Sequence, residues 1–372
     1  MTMRAAILEA IGRPLVIEDV ELRAPGAHEV VVRIAAIDVC ITDALSARGD
    51  VAAAPPTILG HAAAGIVEVV GAHVERVRAG DRVVVAGTPE CGECFWCIRD
   101  QPDQCAEMLG GILPPRVVAT RAGGEPVHAD GGVGAFAEKM VLRDSGVVAV
   151  DSEISDEHLS LLGCGVTAGV GAVLNLAEVQ AGSSVAVVGC GALGLWMIQG
   201  ARVAGATTIV AVEPHAERRE LARAVGATHA LDPADGDPVA AVKALTGGRG
   251  ADYTLEAAGP PEAMAQALAM TRPAGTMVPA GWETLSSTVT LPAVDFAVGG
   301  KRIQSCQYGG AHIRRDIPRF VAMLEAGLLD AEPLVSRRFA LAQVNEALAA
   351  ALSRELITAV IVPDHGSPRM IV

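Results

Sequence analysis

The stretch Ser184-Val-Ala-Val-Val-Gly-Cys-Gly-Ala-Leu-Gly194 carries the strongest fold signal in this chain of 372 residues. Its first part, Ser184 to Val188, is a short run of small and β-branched residues that predicts a buried strand. Three glycines follow at the spacing G-x-G-x-x-G and lead into an apolar helical pattern. Gly189, Gly191 and Gly194 permit a tight turn and a close approach to a pyrophosphate, which the N-terminus of the next helix stabilises. The stretch therefore predicts the first strand and helix of a dinucleotide-binding domain.

A second strand candidate, Ile209–Val212, ends immediately before Glu213, which stands 19 residues after Gly194. An acidic side chain at this distance accepts hydrogen bonds from the ribose hydroxyls of a dinucleotide. The alternative for the glycines is an ordinary glycine-rich turn, and Glu213 favours the dinucleotide. Further strand candidates, Tyr253–Leu255 and Thr276–Val278, leave room for helices between them, as a parallel, doubly wound sheet requires.

The chain before Gly163 has a different pattern. Its β-branched runs at 29–39 and 64–70 are separated by Gly, Pro and Asp, so about the first 150 residues are predicted to be rich in strands. The last part of the chain predicts helices at Pro318–Ala326 and Leu341–Ser353 and a strand at Ile357–Ile361. This order predicts an α/β protein with a β-rich domain and a doubly wound domain.

Composition limits the possible partners. Apolar residues make up 51% of the chain and aromatic residues 3%, which favours a core of Ala, Val, Leu and Ile between parallel strands and helices. A formal net charge of -14 disfavours nucleic acid. Apolar stretches all stop short of the ~18 to 20 residues of a membrane span, and the N-terminus does not resemble a secretory signal. We therefore expect a cytoplasmic protein that acts on a small molecule and binds no membrane.

The strongest metal signal is Cys91-Gly-Glu-Cys94-Phe-Trp-Cys97, followed by Cys105. Four thiolates at such short separations can surround one tetrahedral ion, and an all-cysteine site without an open position is structural. An iron–sulfur cluster also uses four thiolates, so spacing alone leaves that alternative open. A cluster of unrelated buried thiols is the third possibility, and the density of cysteines disfavours it.

Three further candidate ligands are scattered along the chain: Cys40, His61 and Cys164. Taken singly, each is more often a buried core residue than a ligand. Together they supply two thiolates and one imidazole, which leave a fourth position open on a bound metal. Residues so far apart can converge only through the fold.

These residues resemble the zinc-containing alcohol dehydrogenases of the medium-chain dehydrogenase/reductase family, along the chain from Arg4 to Val362. The motifs that carry the resemblance are Cys40-x-Thr42-Asp43, Gly60-His61, the four-cysteine lobe, Gly163-Cys164-Gly165-Val166-Thr167-Ala168-Gly169, the glycine loop and Gly309-Gly310. The resemblance implies an NAD-dependent enzyme that transfers hydride between an alcohol and NAD and binds two zinc ions per subunit.

Residue roles also follow from the resemblance. Cys40, His61 and Cys164 would hold a catalytic zinc, with Asp43 orienting His61. The four cysteines Cys91, Cys94, Cys97 and Cys105 would hold a structural zinc, which favours zinc over an iron–sulfur cluster. The implied fold is a GroES-like catalytic domain over residues 1–165 and 308–372, with the structural zinc lobe at about 90–106, and a Rossmann NAD-binding domain over residues 166–307.

The resemblance further implies how hydride transfer is assisted. Thr42 would take the proton of the substrate hydroxyl and pass it towards the nicotinamide ribose. Its alternative role is to cap a helix beginning at Asp43. Leu193 would pack behind the nicotinamide ring, unless it is an ordinary helix-core residue. Arg218 would be a further ribose contact, and since arginine also accommodates a 2'-phosphate, the preference for NAD rests on Glu213.

Several residues depart from the family pattern. Ala62 stands where the family usually has Glu, Ile41 replaces a basic residue that contacts the pyrophosphate, and Leu45 replaces the histidine that ends the proton relay. Thr358 stands near the C-terminal strand where an arginine is usual, so cofactor affinity or release is expected to differ. At positions expected to line the substrate cleft, smaller or unusual residues predict a bulky or secondary alcohol: Gly87, Asp130, Gly131 and Trp282.

Two questions stay open from the sequence. The segment Met108–Val133 resembles an insertion of the dimeric animal-type branch of the family, which favours a homodimer. The direction of the reaction is not specified, so a carbonyl reductase or a nicotinoprotein that retains NAD is an alternative. A zinc- and NAD-binding sensor without turnover is a further alternative, suggested by Ala62, Leu45 and Ile41.

Overall fold

The computed structural model describes residues 1–109, 116–282, 284 and 286–365. The chain divides into two compact units. Unit 1 comprises Met1–Cys164, His312–Val321 and Val335–Val372, and unit 2 comprises Gly165–Ala311 and Ala322–Leu334. Across the described ranges, every helix is too short or too polar to span a bilayer.

Most of the regular elements within residues 1–164 of unit 1 are strands. The strands are β1 (Thr2–Leu8), β2 (Val16–Leu22), β3 (Glu29–Val39), β4 (Thr57–Ile58), β5 (Ala63–Val70), β6 (Arg82–Val85), β7 (Arg116–Thr120), β8 (Pro126–Ala129), β9 (Lys139–Arg143) and β10 (Val147–Ala149). The helices are α1 (Ile41–Arg48), α2 (Ala106–Leu109) and α3 (Asp156–Leu161). The predicted runs at 29–39 and 64–70 correspond to β3 and β5, so the strand-rich N-terminal part is confirmed.

Unit 2 alternates strands and helices. Its elements up to residue 303 are α4 (Gly165–Gly171), β11 (Ser184–Val188), α5 (Ala192–Val203), β12 (Thr208–Val212), α6 (Ala216–Val225), β13 (His229–Leu231), α7 (Pro238–Leu245), β14 (Ala251–Glu256), α8 (Pro261–Met270), β15 (Thr271–Pro279), α9 (Ala293–Ala297) and β16 (Arg302–Ile303). All pairings are parallel, in the order β13-β12-β11-β14-β15-β16. The doubly wound sheet is confirmed, and its order reverses between β11 and β14, where dinucleotides bind in such sheets.

The remaining elements are α10 (Ile313–Glu325), β17 (Val335–Ala340), α11 (Val344–Ser353) and β18 (Thr358–Val362). Helix α10 begins five residues before the predicted start at Pro318, because the buried Asp316 accepts a hydrogen bond from the His312 N–H at 3.0 Å and stabilises an earlier helix start. The predicted helix at Leu341–Ser353 begins as a 3-10 turn, Leu341–Gln343.

Two sheets organise unit 1. Strands β1-β2-β7-β8-β4 form a closed barrel, and β10-β6-β5-β3-β18-β17 form a second sheet in which β9 also pairs with β3. The central strand β3 is buried on both sides, with Val30, Val31 and Val32 fully inaccessible. Its C-terminal end delivers Cys40 to the start of α1.

Candidate active site

Cys40 is the N-cap residue of α1, in an extended backbone conformation (φ −88°, ψ 152°) directly after β3. Its backbone N–H donates to Asp43 Oδ2 at 3.0 Å. A side-chain acceptor three residues into a helix satisfies one of the free N–H groups at the helix start. The carboxylate of Asp43 therefore holds the backbone that carries the Cys40 thiol.

His61 follows Gly60, which has a φ of +91° and packs so closely that a Cβ would lie 3.0 Å from Phe136. The imidazole Nδ1 lies 2.9 Å from Asp43 Oδ1. A carboxylate accepts only from a protonated nitrogen, so this contact places the proton on Nδ1 and makes Nε2 the nitrogen that would bind a metal. The predicted orienting contact between Asp43 and His61 is present in the structure.

Cys164 lies just beyond α3, in a turn that passes very close to β6. A Cβ on the preceding residue, Gly163, would lie 2.3 Å from the Val85 carbonyl oxygen, so only glycine fits there. In this position the ligand atoms of Cys40, His61 and Cys164 all lie within 4.8 Å of one another. Two sulfurs and one imidazole nitrogen at such distances fit a single zinc ion with one open position.

The two thiols of this cluster change each other's acidity. A hydrogen bond from Cys164 lowers the pKa of the Cys40 thiol, and the same contact together with burial raises the pKa of Cys164. The pair thus favours one thiolate and one thiol in the absence of a metal. Metal binding would then release the remaining proton.

Thr42 occupies the first turn of α1, two residues after Cys40, and its side chain helps to lower the pKa of the Cys40 thiol. The helix begins at Ile41, with Cys40 as its N-cap. The alternative in which Thr42 caps a helix beginning at Asp43 is therefore wrong. Leu45, one turn further along, is buried and offers no group that can carry a proton.

The four-cysteine lobe holds its sulfurs together by backbone donors. Cys94 N–H points to Cys91 Sγ at 3.4 Å, Cys97 N–H to Cys94 Sγ at 3.5 Å, and Ala106 N–H to Cys94 Sγ at 3.4 Å. The Cys91 and Cys97 sulfurs are 3.8 Å apart, and all four sulfurs, including Cys105, lie within 4.8 Å of one another. This closed set fits one tetrahedral ion.

The backbone donors change the acidity of these thiols. Burial raises the pKa of Cys94, but the N–H groups of Ala106, Cys97 and Trp96 outweigh it and lower that pKa to about 6. Burial raises the pKa of Cys97 to about 11. A site with one ready thiolate and further buried thiols gains stability when a divalent cation neutralises the charge.

In unit 2, each glycine of the loop Gly189–Gly194 has a different structural role. Gly189 has a φ of +88°, and a Cβ there would lie 2.8 Å from the Ala258 nitrogen. A Cβ on Gly194 would lie 1.9 Å from the Gly189 carbonyl oxygen, so this glycine permits contact between helix and strand. Gly191 is the N-cap of α5, and the Arg218 guanidinium is the neighbour its Cβ would meet, at 3.9 Å. The N-terminus of α5 is therefore accessible to an anion.

Glu213 is buried and contacts the same loop. Its Oε2 accepts from the Cys190 N–H at 2.7 Å, and its Oε1 accepts from the His215 N–H at 3.0 Å. The sequence indicated a ribose contact for Glu213 but gave no signal for these amides. Leu193 lies half-buried in the first turn of α5, where a ring could pack on it.

Glu256 was not singled out from the sequence. It ends β14 and is fully buried, with Oε1 accepting from the N–H groups of Ala258 and Gly259 at 2.7 Å each. Its Oε2 has no hydrogen-bond partner among the described residues, and burial raises the pKa of this carboxyl. Its carbonyl oxygen accepts from Gly281 N–H at 3.0 Å, so one residue ties together the turns that follow β14 and β15. An acidic residue followed by Ala-Ala-Gly at the end of a buried strand was the available signal.

Comparison with known proteins agrees with both halves of this geometry. The family described as "Alcohol dehydrogenase GroES-like domain" matches residues 26–152, and the family described as "Zinc-binding dehydrogenase" matches residues 192–326. A geraniol dehydrogenase from Castellaniella defragrans is 37% identical over 371 residues, covering 97% of this chain and 98% of that protein.

Solved structures give the same result. An alcohol dehydrogenase zinc-binding domain protein from Burkholderia ambifaria has a TM-score of 0.93 at 34% identity, over 98% of this chain and 100% of that one. The benzyl alcohol dehydrogenase from Acinetobacter calcoaceticus has a TM-score of 0.91 at 29% identity, with the same coverage. The chain belongs to the zinc-containing alcohol dehydrogenases of the medium-chain dehydrogenase/reductase family.

Proposed function

We propose that this alcohol dehydrogenase oxidises bulky or secondary alcohols to aldehydes or ketones, with NAD as the hydride acceptor and two zinc ions per subunit. The observation that carries the proposal is the cluster of Cys40, His61 and Cys164, in which Asp43 orients the imidazole. A closed four-cysteine cluster accompanies it and would hold the second ion. The proposed domain limits are residues 1–165 with 308–372 for the catalytic domain and 166–307 for the NAD-binding domain.

In the proposed mechanism the protein positions and deprotonates the substrate. Zinc held by Cys40, His61 and Cys164 would supply Lewis acidity, which lowers the pKa of an alcohol hydroxyl in its open position. Thr42, in the first turn of α1 and two residues after Cys40, would accept the hydroxyl proton. Because Leu45 cannot continue a proton relay, the proton leaves Thr42 by a different route from the histidine relay of the family.

NAD is favoured over NADP by Glu213. Its carboxylate lies beside the glycine loop, where the pyrophosphate would be bound by the N-terminus of α5. Each carboxylate oxygen has a second lone pair available for a ribose hydroxyl, and its negative charge would repel a 2'-phosphate. Leu193 would pack against the nicotinamide ring, and Arg218 would contact the ribose.

A large substrate is favoured by missing side chains. Gly87 donates its N–H to the Gly163 carbonyl at 3.2 Å, directly before Cys164, and adds no side chain there. A Cβ on Gly131 would meet no other atom within 4 Å. The relatives named for geraniol and benzyl alcohol also act on alcohols larger than ethanol.

The assembly is proposed to be a homodimer. In the segment compared with the dimeric branch, residues 110–115 lie outside the described residues, so the support comes from unit 2. Strand β16 is at the edge of its sheet, and the apolar side chains of Val294 and Val298 on the preceding segment are 61% and 82% exposed. A second copy would cover them.

All eight cysteines are free thiols, which favours a reducing compartment such as the cytoplasm.

A substrate panel tests the function. Zinc-loaded protein is assayed for NADH and NADPH formation with primary, secondary, aromatic and terpenoid alcohols, and for the reverse reaction with the matching carbonyl compounds. We expect NADH formation to be fastest with the bulky alcohols. Cys164→Ala is the inactive control, and the absence of turnover in both directions with either cofactor would disprove the proposal.

A further inference from the structure

The turn Asp130–Gly132 lies next to the segment that carries His61. Strand β8 pairs in parallel with β4, with Ala129 opposite Ile58. The segments that follow these strands, which carry Asp130 and His61, therefore begin at the same edge of the barrel. Beyond the turn, the Ala135 N–H donates to the Gly60 carbonyl at 2.9 Å. The backbone on both sides of Asp130 is thus fixed against the ligand-bearing segment.

The space beside Asp130 is open. Gly131 and Gly132 both have positive φ angles, of +55° and +77°. A Cβ on Gly131 would meet no other atom within 4 Å, and a Cβ on Gly132 would meet only the side chain of Arg116, at 3.8 Å. The turn therefore presents one carboxylate and no other side chain to this space.

The electrostatic surroundings of the Asp130 carboxylate are mostly unfavourable. Within the described part of the chain, no Lys or Arg lies within 4.0 Å of it, and the neighbouring Arg116 is paired with Glu29. Asp43 repels its negative charge, whereas His61 and a hydrogen bond from the Gly131 N–H favour that charge. Burial and Asp43 together raise the pKa of Asp130 to about 6, so the group is an anion at neutral pH.

We propose that Asp130 selects alcohols that carry a protonated amine, which pairs with its carboxylate while the hydroxyl occupies the catalytic site. The inference rests on the proposed function, since it names the substrate class of the same site. A half-buried carboxylate that no lysine or arginine balances is unfavourable, and an ammonium group reduces that cost by a charge-assisted hydrogen bond. The net charge of -14 also raises the local concentration of cationic substrates.

The test compares two alcohols of equal size, 4-(aminomethyl)benzyl alcohol and 4-ethylbenzyl alcohol. Near neutral pH the first is a cation and the second is neutral. We expect kcat/KM of the wild type to favour the amine by about 10- to 100-fold, the range for a hydrogen bond between charged groups. In Asp130→Asn, which keeps the shape of the side chain, this ratio should fall to near one.

A matched control separates local pairing from overall charge. Asp235→Asn removes the same charge from an exposed turn of unit 2 and should leave the ratio of the wild type unchanged. Equal kcat/KM values for the two alcohols in the wild type, or an unchanged ratio in Asp130→Asn, would overturn the proposal.

Failure of the proposed function is recognised separately. If the wild type turns over neither these two alcohols nor any compound of the substrate panel, in either direction and with either cofactor, the proposed function is wrong. Isothermal titration calorimetry of zinc-loaded, NAD-containing protein with the two alcohols then decides the role of Asp130 alone. Tighter binding of the amine by the wild type than by Asp130→Asn supports the proposal, and equal or undetectable binding contradicts it.

Discussion

Asp43 and His61 are joined by a 2.9 Å contact between Oδ1 and Nδ1, while the second oxygen of Asp43 accepts the Cys40 N–H at 3.0 Å. One buried carboxylate therefore orients two of the three residues that would bind the catalytic zinc. Both of its partners are hydrogen-bond donors. An amide in its place would always direct its own N–H₂ group at one of them.

Asp43→Asn should accordingly weaken zinc binding at the catalytic site by about 10- to 100-fold, the usual cost of losing a partner that orients a metal ligand. The four-cysteine site should keep its ion. Competition with a chelator, followed by metal analysis, measures both. Asp81→Asn is the control, since Asp81 accepts from the Arg78 N–H in an exposed turn. Unchanged zinc retention in Asp43→Asn would show that its carboxylate does not position the ligands.

Substitution of a cysteine should have different consequences in the two groups of proposed zinc ligands. Cys164→Ala should lower the zinc content from near two to near one per subunit and abolish activity, with an unchanged melting temperature, because the open site is the one proposed to serve catalysis. Cys97→Ala should also lose one ion, but with reduced stability. Cys306 lies outside both clusters, so Cys306→Ala should retain both ions. A stable, fully active Cys97→Ala protein would contradict the structural assignment.

Glu213 is expected to serve both the cofactor and the loop. Glu213→Gln removes the charge that would repel a 2'-phosphate and leaves one oxygen to accept from two amides, those of Cys190 and His215. The kcat/KM preference for NAD over NADP should fall by about 10-fold or more, and the melting temperature should drop. Glu217→Gln, in the first turn of α6, is the control. An unchanged cofactor preference would mean that Glu213 serves only the loop.

The degree to which the sequence predicted this site depends on chain separation. Gly189, Gly191 and Gly194 are recognisable because the turn they permit is local, and the four cysteines of the lobe lie within 15 consecutive residues. Cys40, His61 and Cys164 come together only through the barrel, β3 and α3, so their common role came from the family resemblance. Spacing alone did not supply it.

The sequence did not predict contacts between segments that are distant in the chain. Glu213 accepts a hydrogen bond from the Cys190 N–H, and Glu256 connects the turns that follow β14 and β15. Both contacts depend on strands that are neighbours in the sheet but distant in the chain. The early start of α10 escaped prediction for a more local reason. Asp316 accepts a hydrogen bond from the His312 N–H and stabilises the start, and Pro318 lies within the helix.

Acid stability should depend on Glu29. Burial raises the pKa of Glu29, but the hydrogen bonds from Arg23 and the Gly26 N–H and the charge of Arg116 outweigh it and lower that pKa to about 2. A carboxyl with a lowered pKa in the folded state stabilises the protein above its unfolded value of about 4.3, and loses that stabilisation as pH falls towards about 2.

The contribution is at most about 3 kcal/mol, from about 1.4 kcal/mol for each unit of pKa. Glu29→Gln should therefore lower the free energy of unfolding at pH 7 and flatten its dependence on pH between about 4.5 and 2. Denaturant unfolding at several pH values measures this. Glu153→Gln, at an exposed position, should behave like the wild type. An equal pH dependence in wild type and Glu29→Gln would contradict the assignment.

Thr42 gives the sharpest test of the chemical step. It lies in the first turn of α1, two residues after the proposed zinc ligand Cys40, and its side chain helps to lower the pKa of that thiol. Its β-branched side chain has few rotamers, which suits a group that must hold a proton in one place. Thr42→Ser should keep most of the activity. Thr42→Val keeps the shape, loses the hydroxyl, and should lower kcat by about 10² to 10⁴-fold, the usual range for one positioned acid–base group.

Zinc content and NAD affinity should remain near those of the wild type in both Thr42 variants, because neither change removes a metal ligand or touches unit 2. Leu45 stands where the family has the last histidine of the proton relay, so the protein supplies no base there. The remaining turnover of Thr42→Val should therefore rise with the concentration of a small buffer base that can take the proton directly. A kcat in Thr42→Val within a few-fold of the wild type, with no response to buffer, would remove Thr42 from the mechanism.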